Sequence, residues 1–384
     1  VLLWKNKIWI FISIIKRKVR PLERYALCPL RHAPSPRPLP RGERGKVRGK
    51  ELTMRLPKFE YLEPKTLKEA AKALASDTKE SVLLAGGTDL LVNMKHKVIQ
   101  PKQVINLKTI PKLAYISNGK DGLRIGALTT LHDIASSQAI QEEVPILSQA
   151  AGEVGAYAHQ VMGTLGGNLC QGNRCRFYNQ SAFWRGVKSP CYKVGGKICH
   201  VVPARAGGGR KPKECHSTYC GDMAPVLIAL DTQVRVVGPN GERVFPLSKL
   251  YTQEGKKPLS LRKGEILKEI LFPPPSGKAL YLKWRRRESI EFPIVSLAFH
   301  IEKDGNERIQ KARIIFSGVG SGPVEALEAE KMLKNASLDD WMIEKVSNQA
   351  IKEISPMRTS IHSPAYKRKM AGILLKQALE KISS

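Results

Sequence analysis

The sequence predicts an α+β protein of two units and not a single doubly wound sheet. Three observations carry this: an early stretch that mixes short strands with helices, a run of alternating strands from 278 to 320, and three helical segments after Pro323. At 384 residues, with 42% hydrophobic and 26% charged residues, the chain has a globular composition and length enough for two or three cores. The two units are expected at 54–243 and 244–384, the first holding an insertion at 171–216 and the second built of an antiparallel sheet plus helices.

Each element has a local reason. Thr66 precedes "LKEAAKALA" and Glu69 stands at the third helical position, which predicts a helix opened by a capping box. "SVLLAGGTDLLVNMK" runs from an apolar strand into a Gly-Gly-Thr turn and out again, and "QVINLKTI" and "GLRIGALTTLHDIA" repeat the strand-then-polar-turn theme. Residues 140–162 read as helix, leading into "VMGTLGGNLC". "MAPVLIALDTQVRVVGPNGERVFPL" predicts a helix, a strand and a hairpin turning at Pro239, Asn240 and Gly241. "KDGNER" is a turn between later strands, and no internal repeat occurs.

The formal net charge is +30, of which +11 falls in residues 1–53. The remaining excess is spread without clustered aromatics or a nucleic-acid-binding motif, so it points to an acidic partner subunit or an anionic ligand and away from nucleic acid. The apolar run Ile8–Ile15 has eight residues, whereas a bilayer span needs ~20. No small-x-small cleavage site follows it, and "RHAPSPRPLPRGERGKVRGK" is too rich in Pro, Arg and Gly to order. Residues 1–53 therefore read as a disordered or upstream extension, a targeting segment being the remaining reading, with Met54 opening an ordinary protein start. No membrane span and no mark of secretion predict a cytoplasmic protein.

Two segments suit close approach of backbone to an anion: "LLAGGTDLL" from Leu83 and "GTLGGNL" from Gly163. Paired glycines let consecutive N–H groups point at a phosphate, and an adjacent Thr or Asn adds donors. Neither segment is a G-x-G-x-x-G fingerprint or a Walker loop, and each Gly-Gly taken singly also reads as a plain tight turn.

"LLAGGTDLLVNMK", "IGALTTLHDI", "GTLGGNLC" and "GDMAPVLIALDTQVRVVG", in this order, resemble the FAD-binding subunit of the molybdenum hydroxylase family, the xanthine and carbon monoxide dehydrogenase relatives. The resemblance runs from Met54 to the C-terminus, through "GEILKEILFP", "KWRRRESIEFPIVSLAF" and "SPAYKRKM". It implies a two-part FAD-binding domain, a C-terminal domain like that of the CO dehydrogenase flavoprotein, and two partners: a large molybdopterin-binding subunit and a small subunit with two [2Fe–2S] clusters. By position, Leu83, Leu84, Ala85, Gly86, Gly87, Thr88, Asp89 and Leu90 match the family's flavin pyrophosphate loop, and Thr164, Leu165, Gly166, Gly167 and Asn168 its second loop. Asp222 matches a carboxylate contacting FAD, Leu267 a residue lining the flavin and Lys283 a basic residue near it. Without the resemblance, Asp222 is a helix N-cap, Leu267 core and Lys283 a solvated charge. No catalytic residue of its own stands out in the chain.

Between "GGNLC" and "STYCGDMAP" lie some forty-five extra residues holding Cys175, Cys191, Cys199 and Cys215. The segment is too polar to hide four thiols in a core of its own, and disulfides need an oxidising compartment. Zinc and a [4Fe–4S] cube both take four thiolates; spacings of 15, 7 and 15 intervening residues contain no zinc knuckle but leave both open. "RCRFYNQSAFWRGVKSPCYKVGGKICHVV" resembles the 4-hydroxybenzoyl-CoA reductase branch of the family, whose β subunits carry an additional [4Fe–4S] cluster. That implies a [4Fe–4S] cluster on Cys175, Cys191, Cys199 and Cys215, with Cys220 the other candidate for the fourth position. It also implies a low-potential electron donor such as ferredoxin, with electrons passing through FAD toward a molybdenum centre on another subunit. "PARAGGGRKP", between Cys199 and Cys215, is longer than that branch leads one to expect, and His200 and His216 read as solvent-side neighbours.

Overall fold

The structure, a computed structural model, describes residues 55–76, 80–119, 122–202, 214–274, 276–306 and 308–383. The expectations for residues 1–53 and for "PARAGGGRKP" lie outside them.

The chain begins with a small parallel sheet. Strand β1 (Glu60–Leu62), helix α1 (Leu67–Ala75), strand β2 (Ser81–Leu84), helix α2 (Leu90–Lys95) and strand β3 (Gln103–Asn106) alternate, and the strands lie in the order β1-β3-β2. Central β3 is buried along its length, and α1 sets Ala70 and Ala71 into the same core as Ile105 and Ile110. Thr66 caps α1 as expected, its hydroxyl accepting from the Glu69 N–H at 3.2 Å. The return bond differs, because the Glu69 carboxylate reaches the N–H of Lys65, one residue earlier than a capping box requires.

A five-stranded antiparallel sheet follows. Strands β4 (Ile116–Gly119) and β5 (Gly122–Gly126) lead into helices α3 (Leu131–Ser136), α4 (Gln138–Glu143), α5 (Pro145–Gly152), α6 (Tyr157–Met162) and α7 (Leu165–Leu169). The stretch read as one helix from 140 to 162 is thus three pieces. Pro145 keeps Val144 out of the helical region, and Gly155 turns the chain at φ +58°. Helix α8 (Ala182–Gly186) lies in the insertion, and helix α9 (Met223–Ala229) and strands β6 (Gln233–Gly238) and β7 (Gly241–Pro246) form the expected helix, strand and hairpin. Strand β8 (Ile266–Leu271) completes the sheet in the order β4-β5-β8-β6-β7. Although β8 stands well beyond position 243, it is hydrogen-bonded between β5 and β6, with Ile266, Leu267 and Ile270 buried.

Strands β9 (Lys278–Trp284), β10 (Val295–Lys303), β11 (Ile309–Ser317) and β12 (Val324–Glu325) make the second antiparallel sheet. Helices α10 (Leu327–Leu333), α11 (Asp340–Glu353) and α12 (Pro364–Ser383) cover it, closing a core that includes Phe299, Phe316, Leu375 and Leu379.

Candidate functional site

The first glycine turn leaves β2 and enters α2, and its position is set by a contact that no larger residue permits. A Cβ on Gly86 would lie 2.1 Å from the Met162 carbonyl oxygen and 2.9 Å from Gly163 Cα. The two glycine segments therefore touch backbone to backbone. Gly87 follows at φ +77°, a conformation that favours glycine. Among the described residues, none accepts from the N–H groups of Gly86, Gly87, Thr88 or Asp89. Consecutive free donors on a half-buried loop are what a pyrophosphate needs, so the residues present fit that group.

The Asp89 carboxylate would repel such a ligand, but Arg174 and Asn93 hold it. Arg174 immediately precedes Cys175, so this ion pair joins the glycine turn to the insertion.

The second segment differs. Thr164 caps α7 by accepting from Gly167 N–H at 3.1 Å, Leu165 donates to Thr129, Gly166 to Ala127 and Asn168 to Thr164. Backbone donors remain open in the first turn, while those of Leu165 to Asn168 are used to build the second. Asn168 has a further task, its side-chain oxygen accepting from Met223 N–H at 3.3 Å, at the start of α9.

Asp222 stands at the N-cap position of α9 without capping the helix through its side chain; that side chain pairs with Lys283 Nζ at 2.9 Å and accepts from the Tyr281 hydroxyl at 2.6 Å. Lys283 also donates to the Glu153 carbonyl at 2.8 Å, and its side chain is 0% exposed, so it is not a solvated charge. Burial pushes the Asp222 carboxyl up from its ordinary range, opposed by the Lys283 charge. Asp222 and Lys283 are therefore turned to each other behind the second turn, and Leu267 is core, packed beside Gly166.

The insertion is anchored from several sides. Arg174 and Thr218 exchange backbone hydrogen bonds, Ala182 N–H donates to the His96 carbonyl, and Arg185 Nη2 donates to the Lys97 carbonyl at 2.6 Å. Asn173 spans to Ser217 and Ser321. A short parallel bridge between Cys191 and Ile198 folds the middle of the loop back on itself.

These anchors bring Cys175, Cys191, Cys199 and Cys215 to the wall of one small cavity, together with Phe177, Tyr178, Lys193 and His200. Cys220 and Cys170 do not line it. Burial pushes the Cys175 thiol up to about 11, while the N–H groups of Phe177 and Tyr178 pull it the other way. Cys215 is held by Glu254, which accepts from its N–H at 2.9 Å, and by Gly255, which donates to its carbonyl at 3.0 Å. Lys193 Nζ, near the same thiols, donates to the Gly255 carbonyl at 2.9 Å. The chemistry of this donor set fits an iron–sulfur cluster.

His200, half-buried, lines the cavity, with Nε2 2.9 Å from the Ser189 carbonyl oxygen. His216 stands beside Glu214, 3.7 Å away. The sequence reading missed Arg174, Tyr281, Lys193 and Glu254. Arg174 carried a signal in its place beside Cys175; Glu254 lies thirty-nine residues from Cys215 and carried none.

Residues 57–275 match the family described as the FAD binding domain in molybdopterin dehydrogenase, and residues 279–382 match the CO dehydrogenase flavoprotein C-terminal domain. The chain is 32% identical over 288 residues to the aldehyde oxidoreductase FAD-binding subunit PaoB of Escherichia coli K12, covering 71% of this chain and 85% of that one. It is 25% identical over 328 residues to the glyceraldehyde dehydrogenase medium chain of Sulfolobus acidocaldarius, covering 85% and 99%. A solved chain of carbon monoxide dehydrogenase from Hydrogenophaga pseudoflava shares the fold, with a TM-score of 0.69, 24% identity and coverage of 85% and 97%.

Proposed function

The chain belongs to the FAD-binding medium subunits of the molybdenum hydroxylase family, and from that premise we propose that it carries FAD and, in its insertion, a [4Fe–4S] cluster. FAD supplies one- and two-electron chemistry when bound, and a cluster supplies one-electron chemistry. Gly86 to Asp89 would hold the pyrophosphate through backbone donors, with Met162 and Gly163, at the start of the second segment, packed against Gly86. Cys175, Cys191, Cys199 and Cys215 would ligate the cluster.

One observation carries the second part: the four insertion cysteines, and neither of the flanking two, line a common cavity. The spacings contain no zinc knuckle, and the resemblance of the segment to the reductase branch favours a cluster over zinc. The two sites are also near in sequence. Six residues separate Cys215 from Asp222, at most about 25 Å of extended chain.

The complex we envisage resembles 4-hydroxybenzoyl-CoA reductase: a ferredoxin-type donor supplies this subunit, and large molybdopterin and small two-[2Fe–2S] subunits complete it. A second reading has its own support, since the relatives named above are dehydrogenase and oxidoreductase subunits. On that reading the insertion is a structural clamp, metal-free or with zinc, on a flavin subunit of the hydroxylating kind. Anaerobic purification of the chain with its partners, followed by iron, zinc and flavin analysis, separates the two. The first reading expects one flavin and about four irons on this chain, beyond those owed to the small subunit. Flavin with zinc, or with no metal on this chain, selects the second.

A further inference from the structure

The insertion and the end of α2 enclose a cavity of ≈ 430 Å³ that no residue of either glycine turn lines. Small-molecule sites measure roughly 300–1,000 Å³. Lys97, Arg185 and Lys188 stand on its wall, and among the described residues no carboxylate does. Lys97 and Arg185 are half-buried. Arg185 uses Nε on the Gln180 carbonyl at 3.2 Å and Nη2 on the Lys97 carbonyl at 2.6 Å, which fixes the guanidinium plane and leaves Nη1 without a hydrogen-bond partner among the described residues. Neither lysine pairs with a carboxylate among those residues. Like charges on one cavity wall repel, and an anion lying against them offsets both that repulsion and their partial loss of water.

The same wall carries aromatic faces. The Phe177 ring stands between His200, at 5.4 Å, and Trp184, at 6.5 Å, tilted about equally to both. His200 is held in this row by the Ser189 carbonyl, 2.9 Å from its Nε2. Lys188 Nζ lies 5.8 Å from the centre of the Trp184 ring, so charge and π surface are side by side. Two demands on an occupant follow. An anion without a ring leaves the aromatic row wet, and a neutral ring leaves the cations uncompensated.

We propose that this cavity is a second ligand site, for a small phosphate-bearing planar ring of the nucleotide class, with the phosphate at Lys97, Arg185 and Lys188 and the ring on Phe177 and Trp184. It differs in kind from the flavin turn. There backbone N–H groups of Gly86 to Asp89 face the anion, whereas here side-chain cations do, and Arg and Lys beside a π surface are the usual means of holding a nucleotide without a glycine loop. No bond forms and no electron moves on binding, so the site is independent of what the four thiols hold.

The test is calorimetric titration of the intact, flavin-loaded complex with ADP, a redox-inert probe, against adenosine and ribose 5-phosphate. ADP should bind with a Kd below about 1 mM, each control at least about tenfold more weakly, and ADP should protect Lys97 and Lys188 from acetylation. The double variant Lys97→Met, Lys188→Met should weaken ADP about tenfold, and Trp184→Leu by a similar factor, with flavin and metal contents unchanged. Should the double variant fail to fold, Lys188→Met alone, at an exposed residue, should still weaken ADP at least about threefold. Equal affinity in parent and variants would overturn the proposal. So would ribose 5-phosphate binding as tightly as ADP, which would leave an adventitious ion only, or ADP that binds only by releasing flavin, which would put it at the glycine turn. Lysines already protected before ADP is added would overturn it as well, because a resident subunit would then cover the cavity. Iron analysis decides the cluster reading and ADP titration this one, so either can fail without the other.

Discussion

The glycine-turn scaffold and the inserted loop solve the same problem, holding charged and polar groups in place, in opposite ways. In the scaffold the buried charges meet inside the fold: Asp222 has Lys283 and Tyr281 as partners, and Asn168 closes the start of α9. Residues 171–202 contain no Asp or Glu, Arg174 reaching Asp89 outside them, regular structure amounts to α8 and one short 3-10 turn, and the loop is fixed by threads to its neighbours, with Cys175, Cys191 and Cys199 lining one cavity with Cys215. On the proposed reading, a cluster would add internal support to an insertion that otherwise takes its anchors from its neighbours.

The sharpest way to break that contrast is Cys191→Ser. Iron on this chain should fall from about four to none, with flavin retained; retained iron would remove Cys191 from the ligand set, and lost flavin would mean that the two regions are not separable. Next is Lys283→Met, which leaves the Asp222 carboxylate buried without its cation. Unfolding by urea should report a loss of about 3–5 kcal/mol, and adding Asp222→Asn should recover part of it. A loss under about 1 kcal/mol, the scale of a surface pair, would show that the pair is not a structural element.

Gly86→Val tests the contact between the two turns, because its Cβ would meet the Met162 carbonyl. Overpacking of this kind costs about 1–3 kcal/mol, and we expect flavin affinity to fall about tenfold to a hundredfold. Wild-type affinity in a fluorescence titration would place the flavin elsewhere. The insertion alone should respond to pH. Cys175, pushed up to about 11, is protonated at neutral pH and must release that proton to bind metal. Affinity for iron should therefore rise about tenfold per pH unit for this thiol below 11, as read by competition with a chelator at two pH values; flavin affinity should not follow the same slope. The smallest effect belongs to Cys220→Ser, which should leave iron unchanged, since that thiol does not line the cavity and lies 3.6 Å from the Thr218 carbonyl.

Much of the scaffold was legible because its signals are local. Thr66 and Glu69 announce α1, Pro239 to Gly241 announce the β6–β7 hairpin, and the strands from 278 to 317 follow their alternation. The break of 140–162 into three helices was legible too, at Pro145 and Gly155, but was outweighed by apolar periodicity. What could not be read were pairings between distant residues: Glu254 with Cys215, Arg174 with Asp89, Asn168 with Met223.

By itself, then, the amino-acid sequence determined the α+β class, the order of elements, the two glycine turns and the set of cysteines worth considering, because spacing, alternation and capping act within a few residues of chain. Only the tertiary structure decided that Gly86 to Asp89 keep free donors while Leu165 to Asn168 use theirs, that Asp222 answers to Lys283, and that Cys215 rather than Cys220 shares a wall with the other three. The physical reason is the same in each case. A hydrogen-bond donor, a buried charge and a thiol acquire their role from whichever group occupies the space beside them, and in a chain with strands crossing from 125 to 270 that neighbour is set by sheet pairing and close packing.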